Sequence, residues 1–204
     1  MRRFWLDSFR LGLAALSAVG FGQARAENSI WLEPDAVPIP PAQVRPGDEF
    51  SIDLKMDFSA DKTIGGGLDV QFDPDALAFV SFTFNSSFPT DPAFTRQPDV
   101  RAGGVLNSLA FGNFNGISSG TVGTFKFKAV HAGTSNIELL VDGRPGDTES
   151  IAGPFYSAVN SQLQQVNFKG AVITVVPEPE VWGMMLAGVG IVGWRARSRA
   201  RVLR

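Results

Sequence analysis

Phe50, Ile52, Leu54, Met56 and Phe58 occupy every second position of the stretch 50–58, with Ser51, Asp53, Lys55 and Asp57 between them. Successive side chains of a strand point to opposite faces, so this spacing makes one face buried and one wet. A helix would scatter the same residues around its axis. The pattern returns along the chain. Leu68, Val70 and Phe72 alternate with Asp69 and Gln71, and Phe125, Phe127 and Ala129 alternate with Lys126 and Lys128. Ile137, Leu139 and Val141 form one face of 136–141. Between these runs stand turn signals: Pro46-Gly47-Asp48, Asp73-Pro74-Asp75 and His131-Ala132-Gly133. No long amphipathic helical period interrupts them. Short strands separated by Gly and Pro turns predict an all-β sandwich.

The remaining segments are less regular. Ile30, Trp31 and Leu32 form a short first strand, after which Pro34, Pro38, Pro40 and Pro41 keep the chain extended. Gly65, Gly66 and Gly67 mark a bend or bulge at a strand start; no Lys-Ser/Thr pair follows, so a phosphate loop is not expected. Residues 77–84 are almost wholly apolar, which predicts a strand buried on both faces or lying under a loop. Residues 85–104 form a long connection of the kind that often binds ligands or moves. Residues 105–111 form a strand, and the Gly/Asn/Ser-rich stretch 112–120 reads as a hairpin loop. Residues 142–153 form a polar loop, and Val166, Phe168, Val172 and Val175 close the domain in a last strand or pair.

The formal net charge of −2 hides a division. Residues 27–176 hold nine Lys/Arg against seventeen Asp/Glu, a formal −8, whereas 1–26 and 177–204 are each +3. An acidic body is unsuited to a phosphate backbone, so no nucleic-acid partner is expected. The basic ends suit membrane orientation instead. Residues 1–26 read as a secretory signal peptide: Arg2, Arg3 and Arg10 flank the start, 11–21 is apolar, and Ala24-Arg25-Ala26 is an A-x-A cleavage site at Ala24 and Ala26. At the other end, Pro177-Glu178-Pro179 precedes an uncharged apolar run, 181–194, and then Arg195, Arg197, Arg199, Arg201 and Arg204. As a helix the run rises about 21 Å, short of the roughly 30 Å of a bilayer core. Snorkelling arginines and the bracketing Trp182 and Trp194 help it span. Arginines on one side keep that side cytoplasmic. A short membrane anchor has the same parts; a core helix would not end in five arginines.

This last stretch resembles the PEP-CTERM sorting signal of Gram-negative bacteria. The matching residues are Val176-Pro177-Glu178-Pro179, the run from Trp182 to Gly190 and the basic tail from Arg195; Glu180 stands where Ser or Ala is commoner. The resemblance implies recognition by a transpeptidase-like membrane enzyme, exosortase, which removes the tail and passes the protein to the cell surface or exopolysaccharide matrix. A second resemblance lies in the body: Pro46-Gly47-Asp48-Glu49-Phe50, the run from Gly66-Gly67-Leu68 through Phe72-Asp73-Pro74 to Leu77-Ala78-Phe79, and Gly123-Thr124-Phe125-Lys126-Phe127-Lys128-Ala129 before Ala132-Gly133-Thr134-Ser135-Asn136-Ile137. These segments are similar to those of cohesin domains. They imply a jelly-roll β-sandwich of about nine strands over 27–175, akin to some carbohydrate-binding modules, between the signal peptide 1–26 and the sorting segment 176–204. Cohesins lack catalysis and bind dockerin partners through one sheet face. Only the fold is carried over.

The chemistry available is thin. The chain has no cysteine and one histidine, His131, in a turn, which all but removes zinc sites and Ser-His or Cys-His machinery. No catalytic residue, cofactor or resident metal is expected. Asp73 and Asp75 bracket Pro74 and cap their own backbone. Asp142, Asp147 and Glu149 space carboxylates as weak calcium candidates, but off EF-hand spacing and with Arg144 among them. Trp31 and Tyr156 are the only Trp and Tyr of the body, so a broad sugar-stacking platform is disfavoured and a small polar sugar site stays open. The sequence therefore reads as an exported, non-enzymatic interaction module of the surface or matrix, with exosortase as processing partner and a protein or polysaccharide as ligand. The alternative is a carbohydrate-binding module that holds the protein in exopolysaccharide.

Overall fold

The alternation at 50–58 becomes a strand whose apolar side chains are all buried: Phe50, Ile52, Leu54, Met56 and Phe58 lie in one core cluster. The computed structural model describes residues 27–34, 42–143, 152–177, 183–189 and 191. Twelve strands are found among them: β1 Ser29–Pro34, β2 Ala42–Val44, β3 Glu49–Asp57, β4 Thr63–Gln71, β5 Leu77–Phe84, β6 Asp99–Arg101, β7 Val105–Ile117, β8 Ser119–Ala129, β9 Gly133–Val141, β10 Tyr156–Ser157, β11 Asn167–Lys169 and β12 Ala171–Val175. They make two sheets. One runs β11-β1-β3-β8-β5; the other runs β2-β12-β9-β4-β7-β6, with β10 on β4. The twelve strands exceed the nine expected because short pairings such as β2 on β12 and β6 on β7 leave no alternating pattern in three residues.

The core fills the space between the sheets. Phe127 of β8 meets Phe72 at a ring distance of 5.2 Å, and Phe155 meets both Phe58 (5.6 Å) and Phe111 (5.7 Å). Phenylalanines thus supply the large burial that a domain without disulfides needs. Lys126 and Lys128 point outward from β8 as their spacing predicts.

Four segments depart from expectation. Residues 77–84 form an edge strand, β5, not a doubly buried one; a register shift between Phe79 and Ser81 leaves Val80 44% exposed. An apolar run carries no record of which side of a sheet remains open. The stretch 112–120 is not a loop: β7 continues to Ile117 and β8 starts at Ser119, so the turn is centred on Ser118. Gly112 serves a close approach to Ile64 O, and Gly116 sits against the side chains of Ala158 and Lys62. In the last strand Ile173 and Val175 are buried and Val172 faces out. The connection 85–104 contains a 3-10 turn, Pro92–Phe94, and β6.

β9 and β10 share one lane beside β4. Leu68 pairs with Val141 and Gly65 with Tyr156. Between them Asp142 N donates to Gly67 O (3.0 Å) and Gly67 N to Gly153 O (2.8 Å). The chain leaves this lane after Asp142 and rejoins it at 152–153. The Asp142 carboxylate, fully buried, closes the gap by accepting from Ala152 N (2.8 Å) and Gly153 N (3.3 Å).

Candidate functional site

The outer faces of the two sheets differ in chemistry. On the β1-β3-β8 sheet, Lys55 pairs with Glu33, and Lys126 with Glu49 at 2.5 Å. Hydrogen bonding to Lys55 holds the Glu33 carboxyl below its usual value, and hydrogen bonding to Lys126 does the same for Glu49. Thr124 Oγ1 donates to Asp53 (2.7 Å). Trp31, half-buried, sits across from Lys55. These charges are matched within the sheet.

The other sheet carries a concavity of about 510 Å³ over β4 and β7. On β7, Leu109 and Phe111 enter the core, so Ala110, Gly112 and Phe114 face outward. Gly65 sits opposite Gly112 at a bulge, with φ +122°. A Cβ on Gly65 would lie 2.2 Å from Phe111 O, and one on Gly112 would lie 2.7 Å from Ile64 O. The two strands therefore approach too closely here for a side chain at either position.

The near wall is the connection 85–96, fastened onto β7. Arg96 and Ala110 exchange both backbone hydrogen bonds (2.9 and 3.1 Å), and Asp91 N donates to Gly112 O (2.8 Å). Thr90 Oγ1 donates to Gly112 O (3.0 Å) and accepts from Gly112 N (3.2 Å). Asp91 caps the 3-10 turn by accepting from Ala93 N (2.9 Å). This wall presents Phe94, which meets Phe114 edge-on at 4.7 Å and 83°. Phe114 is 74% exposed, Phe94 and Tyr156 40% each. Arg96 and Asp99 add a half-exposed ion pair at 2.6 Å (39% and 42%). The Arg96 Nε is buried and finds no partner among the described residues. The site thus joins three open aromatic rings to one guanidinium, that of Arg96, on a fixed frame. It can hold a small ligand by ring contact and hydrogen bonding.

No protein-family model matches the chain, and no curated protein is similar to it in sequence. Solved structures do match. A non-cellulosomal cohesin from Archaeoglobus fulgidus aligns at 16% identity over 78% of this chain and 98% of its own, with a TM-score of 0.53. The sixth cohesin of Acetivibrio cellulolyticus scaffoldin B, solved with a dockerin, aligns at 12% over 74% and 99%, TM-score 0.55. The seventh type I ScaB cohesin of Pseudobacteroides cellulosolvens aligns at 13% over 74% and 94%, TM-score 0.55.

The fold is cohesin-like.

In the cohesin-like sandwich none of the sequence-derived candidates among the described residues lines this concavity, although Asp142 holds Ala152, which does. His131 is exposed in its turn, with Nδ1 2.8 Å from Asp75 O. Asp73 caps its own turn by accepting from Asp75 N (2.9 Å). Of the calcium candidates, Asp142 accepts from the two amides described above; Asp147 and Glu149 lie outside the described residues. No group of three metal-ligating side chains occurs among the described residues. Pro177 is exposed just after β12. Glu178, Pro179, Ala24, Ala26, Arg195, Arg197, Arg199 and Arg201 lie outside the described residues. Part of the proposed span 181–194 also lies outside them; residues 183–189 and 191 are helical, with Met184, Met185, Leu186 and Val189 each more than 60% exposed. Among the described residues no helix is long and apolar enough to cross a membrane.

Sequence reading missed Phe94, Phe114 and Arg96. Phe114 stands between Asn113 and Asn115 in a stretch read as a loop. The signal that could have found it is a lone large ring among Gly and Asn, where a core residue has no reason to be.

Proposed function

We propose that this chain is an exported, non-enzymatic interaction module of the cell surface or extracellular matrix. In this reading the signal peptide 1–26 is removed after Ala26. The segment 176–204, with its helix at 181–194, holds the protein in the inner membrane until an exosortase-type enzyme acts at Pro177-Glu178-Pro179. The sandwich then holds a protein or polysaccharide ligand.

The observation that carries this reading is where the chain leaves the sandwich. Val175 pairs with Gly133 at the end of the sheet. The concavity lies at the other end: eight residues along β9 from Gly133 to Val141, which pairs with Leu68, and three more along β4 from Leu68 to Gly65. At ~3.3 Å per residue this is roughly 35 Å. A sandwich held by its C-terminal segment turns the aromatic concavity away from the membrane. A cohesin-like fold, which in solved relatives is seen bound to dockerins, supports binding as the task.

Cell fractionation with mass spectrometry of the mature termini tests this. A mature chain starting at Glu27 in the surface or matrix fraction, ending near Pro177, is the expected result. An intact chain from Met1 to Arg204 in the cytosol overturns it.

A further inference from the structure

We propose that the concavity between Phe94, Phe114 and Tyr156 binds a neutral pyranose residue of a polysaccharide. The inference rests on the reading of the domain as a binding module and names its ligand.

Three observations lead there. The first is size. About 510 Å³ falls within the roughly 300–1,000 Å³ of small-ligand pockets. A folded partner would instead cover ~800 Å² of each surface. The second is the pairing of chemistries. A pyranose has an apolar C–H face and a rim of hydroxyls. Phe114 and Tyr156 offer exposed ring surface, and the Phe94 contact at 4.7 Å fixes the Phe114 ring. Arg96, which lines the concavity, offers a guanidinium donor to hydroxyls, and a charged donor strengthens such bonds. The third is charge. The body 27–176 carries a formal −8, and Arg96 is already matched by Asp99, so an anionic polymer is repelled. A neutral sugar meets no such penalty. The wall is fastened to β7 at Gly112 and Ala110, so little ordering is left for binding to require.

The test is calorimetric titration of the full chain, in detergent, with neutral oligosaccharides (β-1,4-glucan, β-1,3-glucan, mannan, galactan and xylan hexamers). Polygalacturonate and heparin fragments are the anionic comparison. At least one neutral hexamer should bind and the anionic fragments should not. Phe114→Ala and Tyr156→Ala should each weaken that binding more than tenfold with an unchanged melting temperature. Phe114→Trp should keep it, and Val80→Ala, on the other sheet, should not alter it.

Three results overturn the proposal: no neutral hexamer binding, binding of anionic fragments alone, or neutral binding indifferent to both alanine variants. If the protein still reaches the surface fraction in those cases, the interaction-module reading survives and the ligand is a protein. A cytosolic intact chain would sink that reading independently.

Discussion

At the scale of single residues, one glycine and one aspartate hold the strands around β4 in place. Gly65 combines an unusual backbone angle with a close approach to Phe111 O. Gly47 has a similar angle, φ +92°, with nothing within 4 Å of an added Cβ. Gly47→Ala should therefore cost about 1 kcal/mol from backbone conformation alone. Gly65→Ala should cost at least about 2 kcal/mol, because the backbone of β7 must also move. Urea denaturation of the two variants measures the difference; equal midpoints would contradict it. Asp142→Ala removes the acceptor for two amides, a loss of about 1–3 kcal/mol. Amide exchange at Ala152 and Gly153 should quicken while that of β3 amides stays slow. Neither role is legible in the sequence. Asp142 opens a polar loop and looks like a metal ligand; only its place beside Gly67 makes it a clasp.

At the scale of elements, the wet face of β1, β3 and β8 makes stability pH-dependent. Glu33 and Glu49 are held below the ordinary carboxyl value of 4.5 by their lysines, and Asp57 below 3.8 by the Ser59 hydroxyl and amide. A carboxyl whose folded value is depressed contributes stability above its unfolded value and loses it as pH falls. The melting temperature should be flat down to about pH 5 and decline below about pH 4.5. Lys55→Met with Lys126→Met should shrink that decline, and what Asp57 contributes should persist. A melting temperature that rises on acidification would contradict this. The alternation that makes β3 and β8 strands also puts these charges outside, so this face was readable before folding. The β7 face was not. Its outward positions, Gly112 and Phe114, break the polar–apolar rhythm, and its partner wall comes from 85–96, distant in sequence.

At the scale of the whole molecule, chain direction relates the site to the point where the chain leaves β12. The turn 130–133 and Val175 lie at one end; Ser118 and the 157–163 corner, tied down by Ser157 Oγ to Asp61 (2.7 Å) and Gln164 Nε2 to Asp61 O (2.7 Å), lie at the other. The chain has no cysteine, so single substitutions report position cleanly. With the tail retained, Asn160→Cys should react with a polymer-linked maleimide on spheroplasts faster than Ala132→Cys, both positions being exposed. Equal rates would mean that the sandwich does not stand on its C-terminal end.

The amino-acid sequence alone determined that this body would be two sheets of alternating strands around phenylalanines, because period-two burial is a local property that each strand carries with it. It also determined the contrast between acidic middle and basic, apolar ends, which needs no fold to be seen. The tertiary structure decided everything that depends on which strands become neighbours: that β5 is an edge, that Gly65 meets Gly112, that Phe94 reaches Phe114, and that these rings lie far from where the chain leaves. Pairing between distant segments is set by the packing of the whole core, and no window of the sequence contains it.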